Sequence, residues 1–367
     1  MSDPVSEGLD RIRAWGEARD WRGYDPYDAL NSPAAGALSL GTALGRRLFT
    51  QAVKLSPLNL RPVLGIRPAW NAKALALVAS GYAWTGQRET ATRWLAWLAE
   101  NRSSGGWGYH FPVQTRVFRY ERGTPNTIAT AFAAQALTDG WELLGDERWR
   151  EAAVHAARFL SSEFLADGFF RYLPGERELV HNANALACAV LARVSLAAGE
   201  TSFAAPARRA LGATLDAQRP DGSFPYAEGA GHGWVDNFHT AYVLESLAVC
   251  VPVAPEAEPA LRAGAAYWSE ALFLPDGTPK YNPDRLYPID AHCYASAIDA
   301  WIALAPYVPS ARERAERLAR LLVERMLAPD GHVGFQRRRL WTSNVPYVRW
   351  TTAPAFRALA RLNGTRS

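Results

Sequence analysis

The sequence predicts an all-α fold, an (α/α)6 toroid of repeated helix pairs, and three observations carry that prediction. Asp-Gly pairs at Asp167-Gly168, Asp221-Gly222, Asp276-Gly277 and Asp330-Gly331 recur at spacings of 54, 55 and 54 residues, each followed by an aromatic at the fifth residue beyond Asp. Between the pairs lie a polar loop, an Ala-rich helix apolar all round, and an amphipathic helix. Two helices of about 12–15 residues plus two connections fill that period.

Taken in order, NAKALALVASGYAWTG (71–86) is an inner, buried helix and RETATRWLAWLAE (88–100) its half-solvated partner. NTIATAFAAQAL, NANALACAVLARVSLA, NFHTAYVLESLAV, AHCYASAIDAWIAL and TTAPAFRALARL are the further inner helices. ERWREAAVHAARFLSSEFL and SARERAERLARLLVERML read as outer ones, with one apolar and one charged face. The last unit lacks an outer helix, which residues 1–20 can supply by closing the ring. PVAPEAEP at 252–259 is only an inter-helix connection, and no longer linker divides the chain. Residues 1–367 therefore read as one toroid domain.

Composition narrows the function. Fourteen each of Trp, Tyr and Phe exclude disorder. No apolar run approaches the ~18–20 residues of a membrane span. The charged N-terminus is no secretory signal. Cys188, Cys250 and Cys293 are isolated, so neither a disulfide framework nor a CxxC metal motif is expected. A reducing cytoplasm is the expected compartment. No cofactor or metal is expected, although Asp236, His239, His292 and Cys293 could mimic a zinc set. Net charge is +4, but the arginines are scattered apart from Arg337, Arg338 and Arg339, which argues against a nucleic-acid face.

In a ring of helix pairs, the connections into the inner helices gather at one mouth, where free N–H groups and the positive helix ends also point. The inner-helix starts carry Asn71, Asn126, His181, Asn182, Asp236, Asn237, His239, Asp290, His292, Tyr294 and Arg349. Asn and Asp there are also preferred N-caps, which explains Asn71 and Asn126 without function. His239, His292 and Arg349 lie inside apolar helices and need partners. Counted from the Asp-Gly aspartates, His239 and Tyr294 fall at equivalent positions. The preceding loops offer Trp107, Tyr109, Tyr172, Tyr226, Trp234 and Tyr281 as walls for a sugar ring. YDPYDALNS (24–32) is too rich in turn formers for a helix interior, and is expected at the mouth with Asp25, Tyr27 and Asn31.

QRPDGSFPY at 218–226 resembles the Q-x-x-x-G-x-W signature of the squalene cyclase and prenyltransferase toroids, with Phe224 in the Trp position; NRSSGGWGY at 101–109 is a looser copy. YDPYDALNS, KLSPLNLRPVLGI and GWVDNFHTAYVLESL are similar to uncharacterised bacterial proteins associated with surface-polysaccharide loci. The first resemblance implies architecture; the second implies work on a glycan or its precursor. The DxDD proton donor of the class II terpene cyclases is missing.

The leading expectation is an enzyme acting on an anionic, uronate-containing glycan by lyase or epimerase chemistry. His239, Asp236, His292, Tyr294 and His181 would be catalytic. Asn182, Asn237 and Arg349 would bind the substrate together with the aromatics, Asp25 and Tyr27. The alternatives are a glycoside hydrolase using Asp236 and Asp290, a terpenoid cyclase or prenyl-binding toroid, and a non-catalytic glycan-binding scaffold.

Overall fold

A computed structural model describes residues 3–115 and 118–365. Its helices are α1 (Pro4–Glu17), α2 (Ala35–Leu38), α3 (Ala43–Leu55), α4 (Ala72–Trp84), α5 (Arg88–Glu100), α6 (Thr127–Leu144) and α7 (Glu147–Glu163), then α8 (His181–Ala198), α9 (Ala204–Leu215), α10 (Asn237–Cys250), α11 (Ala257–Ala271), α12 (Ala291–Leu304), α13 (Ala311–Met326) and α14 (Ala353–Gly364).

The even-numbered helices from α4 to α14 form the inner ring. Each packs on the next, and α14 returns to α4. Outside them, α5, α7, α9, α11 and α13 each back the inner helix of their own pair, and α1 backs α14. The N-terminus thus supplies the sixth outer helix, as the incomplete last repeat requires. The inner helices are buried on every side because ring neighbours and an outer helix enclose them; α4 and α12 are buried along almost their whole length. Burying a Leu or Val side chain contributes roughly 1.5–3 kcal/mol, so the apolar inner ring is the main source of stability.

The Asp-Gly pairs make the same turn four times. Gly168, Gly222, Gly277 and Gly331 all have φ between +87° and +96°, open to glycine and strained for other residues. In the last three, the Asp carboxylate accepts the N–H two residues on, from Ser223, Thr278 and His332. At Gly222 a Cβ would also meet the Ala263 carbonyl at 2.5 Å.

Sheet is confined to two-residue strands on the connections. The hairpins are β1 (Val113–Gln114) with β2 (Arg119–Tyr120) and β3 (Leu165–Ala166) with β4 (Phe169–Phe170); β5 (Ile289–Asp290), β6 (Gln336–Arg337) and β7 (Thr342–Ser343) form a ladder. The segment before α4 crosses the ring seam, bridging Gly23 to Ala69 and Tyr24 to Tyr347. It is held there by Arg61, fully buried, which donates to the Asp25 carbonyl and to Asp28. Among the described residues, no helix is long and apolar enough to cross a membrane.

Candidate active site at the mouth of the ring

A cavity of about 800 Å³ opens among the inner-helix N-termini. Its floor follows one rule. The residues capping the six inner helices are Asn71, Asn126, Val180, Asp236, Asp290 and Tyr347, the last preceding a π-turn (Val348–Thr352) that leads into α14. The second residue beyond each cap is Lys73, Ile128, Asn182, Phe238, His292 and Arg349, and all six line the cavity. The first residue beyond the cap does not line the cavity, and at two starts, His181 and Asn237, it bonds to Thr214 of α9 and Trp268 of α11. The π-turn widens the last start, and π-bulges of this kind are frequent at functional sites.

Asp236 has two tasks. Oδ1 accepts the His239 backbone N–H and caps α10; Oδ2 lies 2.6 Å from His239 Nδ1. With Nδ1–H given to the carboxylate, Nε2 is the nitrogen left for a substrate. Asp236 is buried, whereas the His239 side chain is 22% exposed on the cavity wall. Tyr226, stacked on Trp234 with ring centres 4.4 Å apart, packs against the imidazole.

The second imidazole is deeper. His292 Nδ1 donates to the Trp350 carbonyl across 2.7 Å, which leaves Nε2 as an acceptor for the Tyr242 hydroxyl, also at 2.7 Å. Lys73 Nζ donates to the same hydroxyl at 3.1 Å and lies 4.1 Å from the Phe132 ring centre. Burial, reinforced by Lys73, holds His292 well below the ordinary histidine range. Burial and then Arg349 push Lys73 well below the lysine range, against a smaller pull from Asp25. Burial, with Glu245 and Asp299 adding, raises the Tyr242 phenol. The three groups form one hydrogen-bonded chain, Lys73 to Tyr242 to His292.

Arg349 is clamped by Asp25. Nη2 donates to Oδ1 at 2.8 Å, and Nε donates to Oδ2. Burial opposes the guanidinium charge, but Asp25 more than offsets this and holds Arg349 above its ordinary range. The guanidinium lies over Tyr109, 4.6 Å from the ring centre. Arg349, expected to bind the sugar acid, lines the cavity with Nε and Nη2 engaged by Asp25. Asp25 is accordingly the partner of Arg349 rather than a cavity wall, while Tyr27 does line the cavity, its hydroxyl accepting from Lys54 at 2.7 Å.

Of the expected residues, Asp236, His239, His292, Asn182, Arg349, Tyr27, Tyr109, Trp234 and Tyr281 all line the cavity. Asn182 is buried with Oδ1 unpartnered among the described residues. Four others do not line it. His181 sits between Thr214 and Glu228, behind α8. Asn237 ties α10 to α11, donating to Leu272 and accepting from Trp268. Trp107 gives its indole N–H to the Leu98 carbonyl. Tyr294 is buried beside Thr278 and Arg325, two residues beyond the cavity-facing His292. Asp290 also stays outside; it caps α12 and accepts from Gln336 and Trp350. Cys293 is buried away from the cavity, and among the described residues no three His, Cys, Asp or Glu side chains come together as metal ligands.

Two central residues, Lys73 and Trp350, carried no expected role. A lysine at the second position of an otherwise apolar inner helix was a legible signal for the first.

No family model and no curated protein matches the chain. Its likeness is to solved structures. Cellobiose 2-epimerase from Bacillus thermoamylovorans superposes with TM-score 0.63 at 10% identity, over 81% of this chain and 88% of that one. An unsaturated glucuronyl hydrolase specific for heparin gives 0.64 at 12%, over 99% and 96%. A GH76 α-mannanase from Bacteroides thetaiotaomicron gives 0.59 at 13%, over 81% and 87%. The chain has their fold. At these identities the likeness fixes the toroid and its closed ring of six pairs, and leaves the chemistry to the site.

Proposed function

We propose that this chain is a carbohydrate-active enzyme that moves a proton on an anionic, uronate-type sugar, by lyase or epimerase chemistry. The observation that carries the reading is the pair of imidazoles on one cavity, His239 and His292, each with Nδ1 fixed by an acceptor and Nε2 turned to a different task. Removal of a hydrogen next to a carboxylate needs a base, a stabiliser for the enediolate charge, and a second proton carrier. His239 Nε2 is the base. The Lys73–Tyr242–His292 chain is the second carrier: Tyr242 delivers its proton to the sugar and is resupplied from Lys73, which donates to its hydroxyl. In an epimerase that proton returns to carbon from the opposite face; in a lyase it goes to the departing glycosidic oxygen. Arg349 supplies positive charge near the developing enediolate.

The lining also supports an anionic substrate. It holds Arg47, Lys73 and Arg349 against a single carboxylate, Asp236, which is engaged with His239. The same count weighs against two-carboxylate hydrolysis, because Asp290 and Asp25 are tied to protein partners. The charged and hydrogen-bonding floor weighs against a prenyl-binding cavity. Tyr226, Trp234, Tyr109 and Tyr281 provide faces for pyranose rings.

Turnover and binding of acidic saccharides by His239→Ala test the proposal. General-base loss costs on the order of 10²–10⁴ in rate with binding largely kept. Unchanged turnover on a substrate of the wild-type enzyme removes His239 as the base, and unchanged binding with no turnover by either protein leaves a scaffold.

A further inference from the structure

The outer face of the mouth carries an arrangement that neither the core nor the cavity explains. Leu40 is 83% exposed, Val63 89% and Leu340 84%. Among the described residues, every exposed large apolar side chain except Leu143 and Leu196 lies on the mouth side, on connections leading into inner helices or on the segment before α4; Leu44, Leu48 and Trp234 among them line the cavity, and the others do not. Leu40 also holds φ +52°, a left-handed backbone that is uncommon and strained for leucine, while its side chain stands in solvent. Large apolar side chains left in solvent and gathered on one side of a molecule mark a docking face.

Charge indicates what docks there. Between Asp28 and Glu89 the chain has no carboxylate, and Arg67 stands exposed there with Arg46 and Arg47 half-buried; beyond Asp330 it again has none, and Arg337 and Arg339 are exposed next to Leu340 and Trp341. The two stretches meet at the ring seam, where Arg61 lies 4.6 Å from the Tyr347 ring centre and Tyr24 bridges Tyr347. The mouth's carboxylates, such as Glu176, Glu228 and Asp284, lie on the other connections. A second copy placed on this face would set like charges against each other, and a soluble polyanion makes no use of the leucines. Exposed leucines with arginines and a rim tryptophan are the composition of an interfacial membrane surface.

We propose that this side of the mouth seats on an anionic lipid bilayer, with Leu40, Val63 and Leu340 entering the acyl boundary and Arg67, Arg337 and Arg339 meeting the headgroups. The protein is then peripheral, and its cavity opens beside the lipid surface, whatever reaction the cavity performs.

Co-sedimentation of the full chain with phosphatidylglycerol and phosphatidylcholine vesicles tests this. Expected is binding to the anionic vesicles at least about tenfold tighter than to the neutral ones, weakening as salt screens the headgroups. The double variant Leu40→Glu/Leu340→Glu should lose that binding by about tenfold or more with an unchanged circular dichroism spectrum, while Leu196→Glu at the far end keeps it. No binding to anionic vesicles, or binding that the double variant leaves intact, overturns the assignment. A dimer by light scattering that the double variant dissolves, without vesicle binding, gives the face to a second copy and also overturns it.

Discussion

Tyr242 directs its hydroxyl at Nε2 of His292 across 2.7 Å, and Lys73 stands behind it at 3.1 Å. Because the Trp350 carbonyl fixes the other nitrogen, the phenol is the donor in this pair, and the lysine donates to the phenol. Tyr242→Phe removes the central link and leaves both neighbours buried with an unmet bond. Turnover on an acidic saccharide should fall about 10²-fold or more. Each orphaned group should cost about 1–3 kcal/mol in denaturant unfolding. A variant with full turnover would detach the chain from catalysis.

Asp25 and Arg349 form the second relationship, between the segment before α4 and the seam of the ring. Asp25→Ala leaves a guanidinium buried without its counter-charge and should cost about 3–5 kcal/mol in urea unfolding. Asp25→Leu with Arg349→Met removes both charges and should recover much of that loss. If the double variant is as unstable as the single one, the cost is packing and not the uncompensated charge. Turnover should stay low in the double variant even where stability recovers, because the cavity has lost the Arg349 cation.

Stability should fall in acid partly through His110, which burial holds at about 4. The folded protein keeps that imidazole neutral while the unfolded chain takes up a proton below its ordinary pKa of about 6.5. The unfolded state then binds more protons, so stability is lost as pH falls from about 6.5 toward 4. At about 1.4 kcal/mol per unit, the contribution reaches about 3 kcal/mol. The difference in unfolding free energy between His110→Asn and the wild type should therefore shift in favour of the variant across that window. A constant difference would contradict the assignment.

The repeated turn makes a graded prediction. Gly222→Ala combines φ +89° with a Cβ 2.5 Å from the Ala263 carbonyl, whereas Gly168→Ala has φ +87° with open space around it. Gly168→Ala should lose about 1 kcal/mol from backbone strain alone, and Gly222→Ala clearly more. Equal losses in thermal unfolding would show that the close approach relaxes freely.

The ring was legible because its cause is local. A 54-residue recurrence, all-apolar inner helices and an unpaired last unit determine a closed toroid with an N-terminal sixth outer helix, and α1 fills that place. The Asp236–His239 pair was legible too, since a cap and a residue three on share a face. Tyr294 misled for a geometrical reason. Counting from the Asp-Gly aspartates pairs it with His239, but the loop before α12 is one residue shorter, and counting from the caps pairs His239 with Cys293 instead. The cavity-facing residue of α12 is His292, two positions and about 200° around the helix from Tyr294, which turns the phenol to the outer layer. His181 and Asn237 stand one position beyond their caps and face outward for the same reason. The Arg349–Asp25 clamp joins residues 324 apart in sequence and has no local signature.

His239 acting as a base at carbon is tested most directly by solvent isotope exchange. Wild-type enzyme turning over its acidic saccharide in deuterium oxide should place deuterium at the carbon next to the carboxylate in an epimerised product, or release a product with a new C=C bond, and His239→Ala should suppress either signal by about 10²–10⁴-fold. Turnover that breaks a glycosidic bond with no exchange at carbon and no unsaturation, undiminished in His239→Ala, would contradict it.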